Sequence, residues 1–184
     1  MSRDLRMAAI GGVCALLLLV PVIILGRVIS PAALLQQTGR QTSLAVLLLN
    51  LLFGVAYIVF IYGFVCVGER HGSRIVSLSG YLLMLSYFVT VLFAAIASYF
   101  SLAQWLAPIS DIPLIFARGV TALLLGVAIL ISNPKKESLT FWSGVFALMS
   151  GIGTLFQLVG AGWDDLANIP LLITGLIMFF SASD

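Results

Sequence analysis

The chain predicts an all-α fold, a polytopic integral membrane bundle of six transmembrane helices, and two observations carry that reading. The first is composition: of 184 residues, 61% are hydrophobic and 9% charged, with a mean hydropathy of +1.18, whereas a soluble domain carries roughly 25% charged residues. The second is arrangement. Charges fall into short clusters, and the uncharged apolar runs between them are long enough to cross a hydrocarbon layer of about 30 Å. A water-soluble fold is excluded.

Taken in order, the spans fall near 7–29, 44–67, 75–99, 113–132, 139–161 and 166–182, within one transmembrane domain covering 1–184. Arg3 and Arg6 precede the first, as in a signal peptide. Its uncharged run is about 20 residues long, though, and Pro31 follows the only suitable small-residue pair, Val28 and Ser30, so the span is read as uncleaved. Ser30 and Pro31 make a helix-start signal and Gly39 a stop, which predicts a short surface helix over 31–38. Between the second and third spans, Gly68 to Arg74 allows only a tight turn. The connection at 100–112 carries Trp105 and Pro108 and suits a segment lying at the membrane interface. Residues 133–138 form another tight charged turn, and the last connection centres on Trp163, Asp164 and Asp165. The sixth span holds only 12 continuously apolar residues, Ile169 to Phe180, about 18 Å of helix. A re-entrant segment, leaving five full spans, is its alternative.

Lys and Arg in short loops stay on the cytoplasmic side during insertion. With the N-terminus inside, the inner segments hold Arg3, Arg6, Arg70, Arg74, Lys135 and Lys136, and the outer ones only Arg27 and Arg40. Six against two predicts that both termini are cytoplasmic, in a prokaryotic plasma (inner) membrane. Trp142 then falls at the inner interface and Trp105 and Trp163 at the outer, where amphipathic rings prefer to sit. An internal repeat of three hairpins is suggested by glycines at matching places. The separations Gly12 to Gly54, Gly80 to Gly126 and Gly144 to Gly175 are unequal, however, at 42, 46 and 31 residues, and a chain rich in Gly and Leu yields such matches by chance.

The seven acids, Asp4, Glu69, Asp111, Glu137, Asp164, Asp165 and Asp184, all lie outside the expected spans. Proton relay through an intramembrane carboxylate is therefore unsupported, and intramembrane aspartyl proteolysis is excluded. The only histidine, His71, sits beside Glu69 and Arg70 in the tight turn. This is a weak pattern for catalysis, better read as a solvated loop facing anionic lipid heads. Cys14 and Cys66 lie apart with no second ligand near, which argues against a disulfide or zinc site. A net charge of +2, dispersed along the chain, argues against nucleic-acid binding. No catalytic residue, cofactor or metal is expected.

Apart from Arg27, two residues from the outer end of the first span, Arg118 is the one charged residue inside an expected span, about 7 to 8 Å below Pro113. Charge at such depth is a functional candidate, with snorkelling to the headgroups as the plain alternative. Asn50 and Gln157 lie at similar depth, about 10 Å below Ser43 and about 6 Å below Ala161. With Asp111, Asp164 and Asp165 at the mouth, Asn50, Arg118 and Gln157 would line an outward-facing polar pocket. Arg118 is expected to pair with Asp164 or Asp165. Ser143, Ala147 and Gly151 recur every four residues on the fifth span, a spacing that lets helix backbones approach closely in lipid. It serves internal packing, with the fifth span at the bundle centre, or else a homo-oligomer or membrane-complex partner. The expected function is non-enzymatic: a structural or accessory component, or a binder of lipid or a small ligand from the outer leaflet. A small-solute transporter or channel is the alternative, and membrane lipids are the expected surroundings.

Overall fold

A computed structural model describes residues 3–28, 39–99, 103–132, 139–156, 158 and 164–181. Among these it has six α-helices and no strand: α1 (Arg3–Val28), α2 (Gly39–Arg70), α3 (Arg74–Tyr99), α4 (Ala103–Ser132), α5 (Leu139–Phe156) and α6 (Asp164–Ser181). Four of them contain stretches long and apolar enough to cross a membrane, Arg3–Val22, Leu51–Arg70, Arg74–Phe93 and Ile112–Ser132. The apolar helices Thr140–Phe156 and Asn168–Phe180 are shorter. Even so, the 18 residues of α5 and of α6 give each a length of about 27 Å.

Two helices begin well before the expected position: α2 at Gly39, the residue expected as a stop, rather than at 44, and α4. Helix α4 begins at Ala103 rather than 113, so the segment expected at the interface belongs to the same helix and carries Asp111 with it. Helix α5 is described as far as Phe156, and the remainder of the span expected to 161 lies outside the described residues apart from Leu158. Helix α6 is one continuous helix through Pro170, without the break a re-entrant hairpin needs. The surface helix expected over 31–38 lies outside the described residues.

The tight turn at Gly68 to Arg74 has a specific cause. The Ser73 N–H donates to the Gly68 carbonyl at 2.8 Å and the Gly72 N–H to that of Glu69 at 3.2 Å, while Gly72 takes φ +66°. This is the paired capping that ends a helix at a left-handed residue, a conformation glycine adopts without steric cost. It lets α3 start one residue after the cap and run back along α2.

Each helix packs against its neighbours in sequence, and α6 closes the ring against α1, while α2 also reaches α6 across the bundle. Pairing of α2 with α3 and of α4 with α5 is more extensive than that within the second and third expected hairpins, so the bundle is not three separate hairpins. Nor is α5 its centre: it packs against α4 and α6, whereas α2 packs against α1, α3 and α6 and is the most enclosed of the four long helices. From it Phe60 and Phe64 meet Phe179 of α6 in a triangle with ring centroids 5.3 to 5.5 Å apart. All three rings are at most 1% exposed, packed between α2 and α6 on the side of Tyr57 nearer the α2–α3 turn. Large apolar side chains such as Leu17, Leu78, Phe116, Ile131 and Phe180 point outward. A bundle apolar on its outside suits hydrocarbon, where lipid replaces water as the neighbour.

The small residues of α5 are used inside the chain. Ser143 and Ala147 are fully buried, and a Cβ on Gly151 would lie 2.8 Å from the Gly119 carbonyl oxygen and from the Leu123 nitrogen of α4. Gly126 of α4 answers from the other side, where a Cβ would meet the Leu148 nitrogen at 2.7 Å and the Gly144 oxygen at 2.9 Å. The two backbones touch, as small residues at four-residue spacing permit.

Candidate functional site

The polar side chains of the spans meet in one layer. Tyr57 lies 13 residues from the Arg70 end of α2, Tyr87 13 from the Arg74 end of α3, Arg118 14 from Ser132, Ser150 11 from Leu139 and Asn168 13 from Ser181. At helical rise these are depths of roughly 17 to 21 Å from the end of the bundle that carries the α2–α3 turn. Five helices thus bring a polar group to nearly one level, beyond the middle of a layer of about 30 Å.

Asn168 is the hub. Its Oδ1 accepts from the Tyr57 hydroxyl at 3.0 Å and from the Ser150 hydroxyl at 2.5 Å, tying α2, α5 and α6 together. All three residues are almost fully buried. Thr154, one turn from Ser150, satisfies its own hydroxyl on the Ser150 carbonyl at 2.9 Å. The Tyr57 ring lies 4.7 Å from that of Tyr87, and the Arg118 guanidinium carbon stands over the Tyr87 ring at 5.6 Å from its centroid. The contacts therefore run without a gap from Arg118 on α4 through α3 and α2 to Asn168 on α6 and Ser150 on α5. Beside Arg118, Ser86 and Thr121 join α3 to α4 through a hydroxyl pair at 3.2 Å.

Arg118 is not satisfied by these neighbours. Its Nε is buried with no hydrogen-bond partner, the one such side-chain atom among the described residues. The aromatic face of Tyr87 offsets part of the cost of a desolvated guanidinium, about 2 kcal/mol at best, but supplies no acceptor. A donor fixed in this way is suited to receiving an anionic oxygen, because charge-assisted hydrogen bonds to guanidinium are strong and planar.

Of the residues expected to form the pocket, Arg118 is described in full. The backbones of Asn50, Asp111, Asp164 and Asp165 lie in α2, α4 and α6, but their side chains, and all of Gln157, lie outside the described residues. The expected ion pair of Arg118 with Asp164 or Asp165 lies there too. The residues gathered around Arg118, namely Tyr57, Tyr87, Ser150 and Asn168, were not foreseen from sequence. Two signals pointed to them. Tyr57 and Tyr87 sit in mid-span, although tyrosine favours the interface and seeks a partner for its hydroxyl when buried. Asn168 lies immediately before the apolar run Ile169 to Phe180, a polar residue within the expected sixth span.

At the opposite end, His71 is exposed in the turn, on the lip of a small recess lined also by Phe64, Ser73, Thr140 and Met178. Glu69 accepts from the Tyr81 hydroxyl at 3.2 Å. Ser73, in the lining of the recess, makes a hydroxyl pair with Ser132 at 2.7 Å. Comparison with protein-family models, with curated proteins and with solved structures finds no match.

Proposed function

We propose that the protein is a non-enzymatic, multi-pass integral protein of the prokaryotic plasma (inner) membrane that binds the anionic group of a small molecule or lipid at Arg118, reached from the outer leaflet. The observation that carries this reading is the buried, unpartnered Arg118 Nε, set in a layer whose other polar groups hydrogen-bond to one another. A charged side chain near a helix centre costs about 2.5 to 3.5 kcal/mol. A bound anion offsets that cost and the ring of Tyr87 offsets part of it. The transporter reading has less support, since between this layer and the α2–α3 turn the buried contacts of α2 with α6 are the packed rings of Phe60, Phe64 and Phe179 rather than polar groups.

The test is thermal unfolding of the purified protein in neutral detergent with inorganic phosphate, acetate or short-chain phosphatidic acid, against glycerol as an uncharged control. An anion at a hundred times its Kd should raise Tm by about 5 to 10 °C. Arg118→Gln should abolish the rise and Arg118→Lys keep part of it. Free phosphate acting alone identifies a soluble anion, and phosphatidic acid acting alone identifies a lipid headgroup. No rise with any anion, or an equal rise in Arg118→Gln, overturns the reading. Sidedness is tested separately by cysteines introduced at Ser2 and Ser183. Both should label only from the cytoplasmic side, as expected from the six basic residues counted there, and label entering from outside at one terminus would require an odd number of spans.

A further inference from the structure

The junction of α1 with α6 is the sparsest of the six in the ring, and it leaves a groove of about 270 Å³ on the outside of the bundle. Its lining is Ala9, Ile10, Val13 and Cys14 from α1 and Phe180 from α6, with Arg6 as the single charged residue. Ile10, Val13 and Phe180 are 42 to 55% exposed. From Arg6 to Cys14 the groove follows eight residues of helix, about 12 Å, and beyond Arg6 it is apolar throughout.

Position along the bundle gives the occupant. Arg6 lies at the end that also carries Arg70 and Arg74, so the groove starts at the headgroup level and runs toward the membrane centre. Its apolar length faces hydrocarbon, which a fatty acyl chain fills. The nearest acid in sequence, Asp4, lies two residues from Arg6 and so about 200° around α1 from it, on a different face of the helix. A guanidinium at the mouth of an acyl-sized groove suits a phosphodiester, to which its planar donors can bind in pairs.

We infer that the α1–α6 groove is a binding site for one anionic phospholipid of the leaflet that faces the α2–α3 turn, with its phosphate on Arg6 and one acyl chain along Ile10, Val13 and Cys14. The site is separate from Arg118, which lies on α4 about 16 Å deeper than Arg6. The lipid would complete the seam where the ring of helices packs least, so that occupancy stabilises the bundle.

The experiment uses the full chain in neutral detergent, titrated with phosphatidylglycerol or with phosphatidylcholine of the same acyl chains. Retention is read by native mass spectrometry and stability by thermal unfolding. Phosphatidylglycerol should be retained about fivefold more tightly, the ratio that one basic residue gives near an anionic headgroup, and should raise Tm further. Arg6→Gln should remove the preference and Arg6→Lys keep most of it. Val13→Trp, which fills the groove, should weaken retention of both lipids. Arg74→Gln, at the same end but outside the groove, should leave the preference intact. Loss of preference in Arg118→Gln would move the lipid to the other site. Equal loss in Arg6→Gln and Arg74→Gln would reduce the effect to surface charge. Either result, or equal retention of the two lipids by the unmodified chain, overturns the inference.

Discussion

Leucine in place of Gly151 should lower the stability of the bundle by about 3 kcal/mol, seen as a fall in Tm of about 6 to 12 °C in detergent. A Cβ at this position already lies 2.8 Å from backbone oxygen and nitrogen atoms of α4, and backbone inside a helix cannot move aside as a side chain can. The two helices would have to separate along their whole contact, exposing Ser143 and Ala147, which are now fully buried. Leucine at Phe146, on the same helix but only half-buried, should cost about 1 kcal/mol. Equal tolerance at the two positions would mean that α5 turns its small residues to lipid and that the α4–α5 contact is not what joins the two.

Asn168→Leu should have the second large effect, because it keeps the volume of the side chain and removes the acceptor shared by Tyr57 and Ser150. Each hydroxyl is almost fully buried and left without its partner, at about 1 to 3 kcal/mol per orphaned group in a protein interior and nearer 1 in a membrane bundle. The expected loss is about 2 kcal/mol, measured by thermal or denaturant unfolding. Adding Tyr57→Phe and Ser150→Ala to Asn168→Leu should recover part of it, since the orphaned hydroxyls go with them. An Asn168→Leu chain as stable as the original, or a triple variant with no recovery, would show that the hydrogen-bonded layer does not hold α2, α5 and α6 together.

How far the sequence reveals this molecule depends on the kind of signal. Apolar runs bounded by charge fix the existence of six helices, because a backbone inside hydrocarbon must satisfy its own hydrogen bonds, and the turn at Gly68 to Arg74 announces itself through two glycines and a charge cluster. The four-residue spacing of Ser143, Ala147 and Gly151 likewise points to a close contact, although not to α4 as its other half. Helix ends are less legible: α4 continues through Pro108 and Pro113, although each proline removes a backbone donor from the helix. Least legible is the polar layer. Arg118 stands out alone by its charge, but the approach of Asn168 to Tyr57, 111 residues earlier, depends on α6 crossing to α2, which no local pattern encodes. Tyrosine and serine in an apolar run look like ordinary filling until a partner is found for their hydroxyls.

The central claim is that the Arg118 Nε–H is an unoccupied donor that takes an anion. The most direct measurement is the NMR spectrum of the full chain in detergent, labelled with ¹⁵N at arginine, recorded while inorganic phosphate or phosphatidic acid is added. Arg118→Lys identifies the Arg118 Nε–H signal by its disappearance. That signal should move with a saturable dependence on the binding anion, while those of Arg70 and Arg74 drift only with ionic strength. An Arg118 signal that stays fixed under every anion, or that moves only as the exposed arginines do, would contradict the claim.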